Sequence, residues 1–259
     1  MSLVQVTESQ SIATVTLHRP DLRNAFNPEM ISQITKAFRQ FSASSGIRAI
    51  VLRGSGKVFC AGGDLSWMQE MVNYDFAQNK KDAEILFEMF QAILTCPLPV
   101  ICVVHGAAFG GALGLIAASD YVICEEKTQL CFSEVKLGIA PAVISTFVLQ
   151  KSNLGLVGPA MLTGHPFTAA DAKIMGLVHD ICDEESLNDK ILTACQWFRD
   201  SGPEAVRATK KLIHEISGAS PAQAKDAVTQ VIAERRVSAE GQEGLKSFLE
   251  KRKPSWRLS

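Results

Sequence analysis

Apolar positions alternate between strand-like and helix-like spacing along the first three quarters of the chain. Ile12, Val15 and Leu17 precede a proline and predict a strand within residues 11–20. Shorter apolar runs predict further strands at residues 48–54, 100–104, 121–124 and 130–132. Helical spacing predicts helices at 76–94, at 110–118 and after Asn27-Pro28, a capping pair followed by Met30, Ile31, Ile34, Phe38 and Phe41. This alternation indicates an α/β fold with a mostly parallel sheet.

The last quarter of the chain carries helix signals alone. Strand patterns stop near residue 195, and Ser220-Pro-Ala-Gln223 is a capping-box sequence that predicts a helix start. A final helix is expected to run to Lys253 and stop at Pro254. We therefore expect a core over residues 1–195 and a helical region over 196–259, which would serve as a lid or an assembly surface.

Residues 100–118 form a run of 19 residues without formal charge, long enough to raise the question of a membrane span. The run contains His105 and four glycines, and no lysine or arginine lies near either end. It divides more naturally into a buried strand, a turn and a helix. We therefore expect no membrane association.

Charge and cysteine usage narrow the class of protein further. The chain has 26 basic and 27 acidic side chains, and this balance argues against a nucleic-acid partner or a membrane-surface partner. Its seven cysteines lack C-x-x-C spacing, which fits a reducing compartment. The opening MSLVQVTESQ has neither the basic nor the apolar region of a signal peptide, so we expect a cytoplasmic protein.

Common ligand motifs are incomplete in this sequence. The stretch GSGKVF at 54–59 lacks the third glycine of a dinucleotide fingerprint and the Ser or Thr of a phosphate loop. The five histidines show no ligand spacing, so no metal site is expected.

Two glycine-rich loops remain as candidates, C-A-G-G-D-L at 60–65 and F-G-G at 109–111. Glycine lets backbone approach a ligand closely, and the first N–H groups of a helix are unpaired. Two such loops could direct two amides at one oxygen and form an oxyanion hole. The alternative is that both are tight turns that need glycine for steric reasons alone.

Glu134 is the candidate acid. It follows a short apolar strand, and a half-buried carboxylate has a raised pKa that suits proton transfer at neutral pH. The alternative is a surface glutamate paired with a lysine such as Lys136.

Five stretches together resemble the crotonase, or enoyl-CoA hydratase/isomerase, superfamily. They are H-R-P-x-x-R-N-A at 18–25, C-A-G-G-D-L at 60–65, F-G-G-A-L-G at 109–114, S-E-V-K-L-G-I-A-P-A at 133–142 and F-L-E-K-R-K-P at 248–254. The resemblance implies a spiral of ββα turns and a C-terminal helical region that builds trimers or hexamers. It also implies an acyl-CoA thioester substrate and no separate cofactor.

The resemblance further implies roles for single residues. The amides of Gly63 and Gly111 would hold the thioester oxygen, and Glu134 would carry the proton. Coenzyme A would lie against the loop and a nearby arginine, here Ala61, Gly62, Asp64, Leu65 and Arg23.

Gly114 departs from the family pattern, because familiar hydratases carry a second glutamate there. A single glutamate is the arrangement of the Δ3,Δ2-enoyl-CoA isomerases of the family. The surrounding motifs look most like hydratases of the methylglutaconyl-CoA type, and glycine at 114 would free room for a branched acyl chain. Three functions stay open: a branched-chain hydratase, which we favour, an isomerase, and an acyl-CoA-binding protein without catalysis.

Overall fold

The computed structural model describes residues 2–257, which contain nine strands and eleven α-helices. The strands are β1 Val4–Ser9, β2 Ile12–Leu17, β3 Ala49–Gly54, β4 Val100–Val104, β5 Ala107–Phe109, β6 Tyr121–Glu125, β7 Gln129–Cys131, β8 Phe167–Thr168 and β9 Asp180–Cys182. The helices are α1 Pro28–Phe41, α2 Leu65–Met71, α3 Phe76–Leu94, α4 Ala112–Ala118, α5 Ala142–Lys151, α6 Leu154–Thr163, α7 Ala169–Met175, α8 Leu187–Asp200, α9 Pro203–Ile216, α10 Pro221–Val237 and α11 Ala239–Leu249. The predicted α/β class is confirmed.

The larger sheet has six strands in the order β1-β2-β3-β4-β6-β9. Only the β1–β2 pair is antiparallel, and the other neighbours run parallel. Helices pack on both faces, so a central strand such as β4 is buried at every position. This burial explains why the central strands read as unbroken apolar runs in the sequence.

A second sheet of three strands, in the order β5-β7-β8, lies beside the first. β5 and β7 run parallel, with Phe109 opposite Cys131. Each of these strands follows a strand of the larger sheet, and α4 follows β5, as expected for ββα turns. The parallel pairing brings the ends of β5 and β7 to the same edge, which positions the candidate site.

Helix α1 shows how local signals and burial combine. The Asn27 side chain accepts a hydrogen bond from the Met30 N–H over 2.9 Å, and Pro28 occupies the first turn, as predicted. The apolar face buries Met30, Ile31, Ile34 and Phe38 against the main core. Each such side chain contributes about 1.5–3 kcal/mol when it is fully buried.

The uncharged run at residues 100–118 becomes β4, β5 and α4, which are buried inside the protein. Helix α4 has only seven residues, and every one of them is buried. Within residues 2–257 no helix is long and apolar enough to cross a membrane.

The helices at the end of the chain agree with prediction except at one boundary. Ser220 caps α10 through the expected capping box with Gln223. The prediction that the last helix runs to Lys253 is wrong, because α11 ends at Leu249. Lys251 adopts a left-handed φ of 55°, which no α-helix can continue. The predicted division at residue 195 falls inside α8 and stays a prediction.

Candidate active site

Gly110 and Glu134 lie together where β5 and β7 end. The Gly110 N–H donates to the Cys131 carbonyl over 2.9 Å. Gly110 has a φ of +53°, and a Cβ built on it would lie 3.4 Å from both Glu134 Oε1 and Ser133 Oγ. The bare backbone at position 110 therefore faces the Glu134 carboxylate directly.

Glu134 carries a half-buried carboxylate at the start of a 3₁₀ turn, Glu134–Leu137. Its Oε2 atom is shielded from solvent and has no hydrogen-bond partner within residues 2–257. Burial raises the pKa of Glu134, opposed only by its own backbone N–H, so the predicted direction of the shift is confirmed. No charged neighbour contributes to this shift, which is not the environment of a surface glutamate paired with lysine.

Phe26 joins the two glycine loops. Its N–H donates to the Gly62 carbonyl and its carbonyl accepts from the Asp64 N–H, both over 2.7 Å, which pairs Phe26 with Gly63. On the other loop, a Cβ built on Gly111 would lie 3.1 Å from Phe26 Cε2. In the part of the chain that the structure describes, neither the Gly63 N–H nor the Gly111 N–H has an acceptor. Each loop thus presents an unpaired amide, and both loops contact Phe26, one through its backbone and the other through its ring.

The loop at 60–65 is also attached directly to β5 and to the segment that contains Arg23. The Phe109 N–H donates to the Cys60 carbonyl over 3.1 Å, and the Ala61 N–H donates to the Arg23 carbonyl over 3.0 Å. Gly62 has a φ of +92°, and a Cβ there would come within 2.8 Å of the Phe109 oxygen. These contacts bring the predicted binding residues Arg23, Ala61 and Gly62 next to the glycine loops.

Asp64 and Leu65 differ sharply in their surroundings. Leu65 is 77% exposed at the start of α2, whereas Asp64 is buried. Asp64 Oδ1 accepts from the Ser66 N–H over 2.8 Å, and Oδ2 lies 2.7 Å from Arg19 Nη2. Burial raises the pKa of Asp64, but the Ser66 hydrogen bonds and Arg19 outweigh it and leave that pKa lowered. The Asp64 side chain therefore stabilises the loop, and a contact with coenzyme A would fall to its backbone.

Asn24 is a structural residue of the site that the sequence analysis missed. It is fully buried with a φ of +55°, and its Nδ2 donates to the carbonyls of Ser55 and Val58 over 2.8 Å and 2.9 Å. Its Oδ1 accepts from the Arg19 N–H over 2.9 Å. The available signal was an asparagine between Arg23 and Ala25 in a turn, since asparagine tolerates left-handed backbone.

The expectation that Gly114 frees room for a substrate branch is wrong in this structure. A Cβ built on Gly114 would lie 2.5 Å from Phe90 Cζ and 2.8 Å from Ile144 Cγ2. Phe90 is fully buried and Ile144 is 2% exposed, so both side chains fill the space that the glycine leaves. An aromatic ring therefore packs where a second acid would otherwise begin.

Neither the cysteines nor a cluster of metal-ligating side chains provides a second candidate site within the described residues. The seven cysteines are free and buried, and burial raises the pKa of Cys60 and of Cys102 to about 12. Within residues 2–257 no group of three or more His, Cys, Asp or Glu side chains is placed to hold a metal ion.

Fold and site together define an α/β protein whose glycine loops and half-buried carboxylate meet at the edge of a small sheet. Residues 7–258 match the family described as Enoyl-CoA hydratase/isomerase. A solved enoyl-CoA hydratase from Shewanella pealeana is 37% identical, with a TM-score of 0.94, and the match covers 98% of this chain and 96% of that one. The chain belongs to the enoyl-CoA hydratase/isomerase family, and its crotonase-type fold is confirmed.

Relatives with different activities share this similarity. Enoyl-CoA hydratase ACTT6 of Alternaria alternata is 33% identical over 83% of this chain and 71% of its own length. The trans-2-decenoyl-[acyl-carrier-protein] isomerase of Streptococcus mutans is 28% identical over 95% of this chain and 94% of its own length. Both lyase-type and isomerase-type relatives therefore align along most of the chain.

Proposed function

We propose that this chain is a 2-enoyl-CoA hydratase, which adds water to the double bond beside a thioester. The observation that carries the proposal is the meeting of Glu134, with its unpartnered buried oxygen, and the Gly110-Gly111 backbone. The named hydratases among the similar proteins support the same reaction class.

The amides of Gly63 and Gly111 are proposed to hold the thioester oxygen. Negative charge grows on that oxygen as the α carbon takes on enolate character, and preorganised N–H donors stabilise the growing charge. Each such donor lowers the barrier by roughly 3–4 kcal/mol. Support comes from the absence of an acceptor for either N–H in the described chain and from the shared contact with Phe26.

Glu134 is proposed to move the proton. Its carboxylate takes a proton from water as the water oxygen bonds to the β carbon, and then delivers a proton to the α carbon. Syn addition puts oxygen and proton on one face, so a single carboxylate can serve both steps. A pKa raised by burial brings this group closer to neutral pH, where general acid–base catalysis is most effective.

A branched acyl group such as 3-methylglutaconyl is the substrate that we propose. This proposal rests on the likeness of the motifs around Gly63 and Glu134 to those of hydratases of that type. It does not rest on free space at Gly114, because Phe90 and Ile144 fill that space. Coenzyme A would lie along Arg23 and residues 61–65 as part of the substrate, with no separate cofactor. Trimeric or hexameric assembly and a cytoplasmic location remain predictions.

A Δ3,Δ2-enoyl-CoA isomerase is the second candidate. Glu134 would carry a proton between C2 and C4 of the acyl chain, which needs one carboxylate and no positioned water. The apolar packing of Phe90 against Gly114 favours it, because that position supplies no acid. The relative named as an isomerase supports it as well.

An assay of the purified protein separates these reactions. Crotonyl-CoA and 3-methylglutaconyl-CoA test hydration by loss of the enoyl-thioester absorbance, and a 3-enoyl-CoA tests isomerisation by its gain. Glu134→Gln should leave coenzyme A ester binding intact and reduce turnover by ~10²–10⁴-fold. Retention of more than half the activity would remove Glu134 from the mechanism. Binding without turnover of any substrate would point to the third function, a non-catalytic acyl-CoA-binding protein.

A further inference from the structure

A cleft of about 720 Å³ lies between the C-terminal end of α3 and the helices α9 and α10. Its volume is in the range of small-molecule binding sites. None of its lining residues belongs to the candidate active site or to the proposed coenzyme A surface. The cleft is thus a separate feature of the molecule.

The walls of the cleft carry an excess of positive charge. Four cationic side chains line it, Arg207, Lys210, Lys211 and Arg235, against the single carboxylate of Glu204. The whole chain has a formal net charge of −1, so the local excess does not follow from composition. A cluster of like charges costs free energy unless a counter-charge is bound nearby.

Two of the four cations have partners inside the protein. Lys210 is 7% exposed, and its Nζ lies 2.6 Å from Asp120 Oδ2. Arg207 Nε lies 3.6 Å from Glu204 Oε1, and its Nη2 donates to the Ser44 carbonyl. These contacts attach α9 to the core and pair Glu204, the one carboxylate that lines the cleft within residues 2–257.

Lys211 and Arg235 are the other two cations that line the cleft. Within residues 2–257 neither side chain forms an ion pair, since the ion pairs of this wall are those of Lys210 and Arg207. Arg235 is half-buried, which is costly for a charge without a partner. A cation is stabilised near the C-terminal end of a helix, and Arg235 lies near that end of α10. The exposed Arg236 has the same advantage but does not line the cleft, so the helix end does not explain why Arg235 does.

We propose that this cleft binds a phosphorylated small molecule of nucleotide size. The planar guanidinium of Arg235 offers paired donors that match phosphate oxygens, and Lys211 adds a mobile positive charge. Neutral hydrogen-bonding side chains, Gln91, Thr95 and Gln150, line other parts of the cleft beside the apolar Leu94 and Ala208. This mixture suits a ligand with both a charged group and a polar, partly apolar body.

The test is titration calorimetry of the purified protein with ADP and with adenosine, its uncharged counterpart. ADP should bind measurably and adenosine should not. Arg235→Gln and Lys211→Gln should each weaken ADP binding by about tenfold or more, as expected for a lost hydrogen bond to a charged group. Arg236→Gln is the matched control, because Arg236 is the next residue of α10 and does not line the cleft; it should leave the Kd unchanged.

Four results would overturn the proposal: no ADP binding, equal binding of adenosine, no effect of either cleft substitution, or weakening by Arg23→Gln alone. The last of these would place ADP on the proposed coenzyme A surface. Lys211 is exposed, so Lys211→Gln keeps the test valid if Arg235→Gln lowers the melting temperature.

Discussion

Gly114→Ala tests whether Phe90 and Ile144 occupy the space beside the glycine. The new Cβ would lie 2.5 Å from Phe90 Cζ, so the ring must retreat by about 0.9 Å to reach ordinary contact at 3.4 Å. Phe90 is fully buried and cannot move into solvent. Overpacking of this kind costs ~1–3 kcal/mol, and removal of a helical glycine returns ~0.5–1 kcal/mol. We expect a net loss of roughly 1–2 kcal/mol in the free energy of unfolding.

Urea denaturation measures this loss, and Gly158→Ala is the matched control. Gly158 lies inside α6, and its nearest atom to a built Cβ is Leu154 Cδ1 at 4.0 Å. The added Cβ also meets the ring of the following Pro159, which offsets part of the gain in helix propensity, so this substitution should change stability by less than ~1 kcal/mol. Gly114→Ala should therefore lose more stability than the Gly158→Ala control.

A double-mutant cycle with Phe90→Leu identifies the ring as the cause. Leucine lacks the Cε1 and Cζ atoms that approach position 114, so Gly114→Ala should cost ~0.5–3 kcal/mol less in the Phe90→Leu background. The packing argument is refuted if Gly114→Ala is as stable as the Gly158→Ala control, or if the cycle shows no coupling.

Three other substitutions test the loops and the acid. Gly111→Pro keeps the observed φ of −52° but removes the N–H, and should reduce kcat by ~10²–10³-fold. The control Gly111→Ala makes the same contact with Phe26 but keeps the N–H, so it should stay much more active. Equal kcat values for the two variants would exclude the Gly111 N–H as a donor. Asp64→Asn should cost ~1.5–3 kcal/mol in urea denaturation because it removes the ion pair with the half-buried Arg19, whose hydrogen bond to the Ala25 carbonyl remains. Since the folded state lowers the pKa of Asp64, this stability is present above the unfolded pKa of ~3.9 and is lost as pH falls through the folded value, so a loss unchanged in acid would contradict the ion pair. Glu134→Gln should raise the melting temperature at pH 7, because folding raises the pKa of Glu134 and so disfavours its charged form. This gain should disappear below the unfolded pKa of ~4.3, where the carboxyl group is neutral in both states. A lower melting temperature of the variant at pH 7 would contradict the prediction.

Local signals were enough to predict α1 and α3 but not every element that buries apolar side chains, since α5, which buries Ile144, Phe147 and Val148, was not predicted. Helix α3 has the predicted bounds 76–94, and α1 begins at the predicted cap, because helical spacing and capping residues act within a few positions of each other. Strand β1 was not predicted, since Val4 is its only buried residue. Its pairing with β2 comes from backbone hydrogen bonds that leave no apolar pattern.

In the candidate site too, features set by residues adjacent in sequence could be predicted, and features set by residues distant in sequence could not. The burial of Glu134 could be predicted because the apolar strand that causes it lies next to it in the sequence. The packing at Gly114 could not, because Phe90 belongs to a different helix and meets the glycine only in the folded chain. The ion pair of Asp64 could not be predicted for the same reason, since Arg19 lies 45 positions earlier in the sequence (64 − 19).

Gly114 and Phe90 together explain how the site is limited to one acid. The glycine is needed because the ring occupies the position of its missing side chain, and the ring is held in turn by Phe147, with ring centroids 5.5 Å apart. A glutamate introduced at 114 would have to displace a fully buried aromatic side chain before its carboxylate could reach the site. A substitution at Gly114 alone would therefore not create a two-acid site. The proton chemistry of the proposed reaction accordingly depends on Glu134, whose burial beside Gly110 supplies both its raised pKa and its unpartnered oxygen.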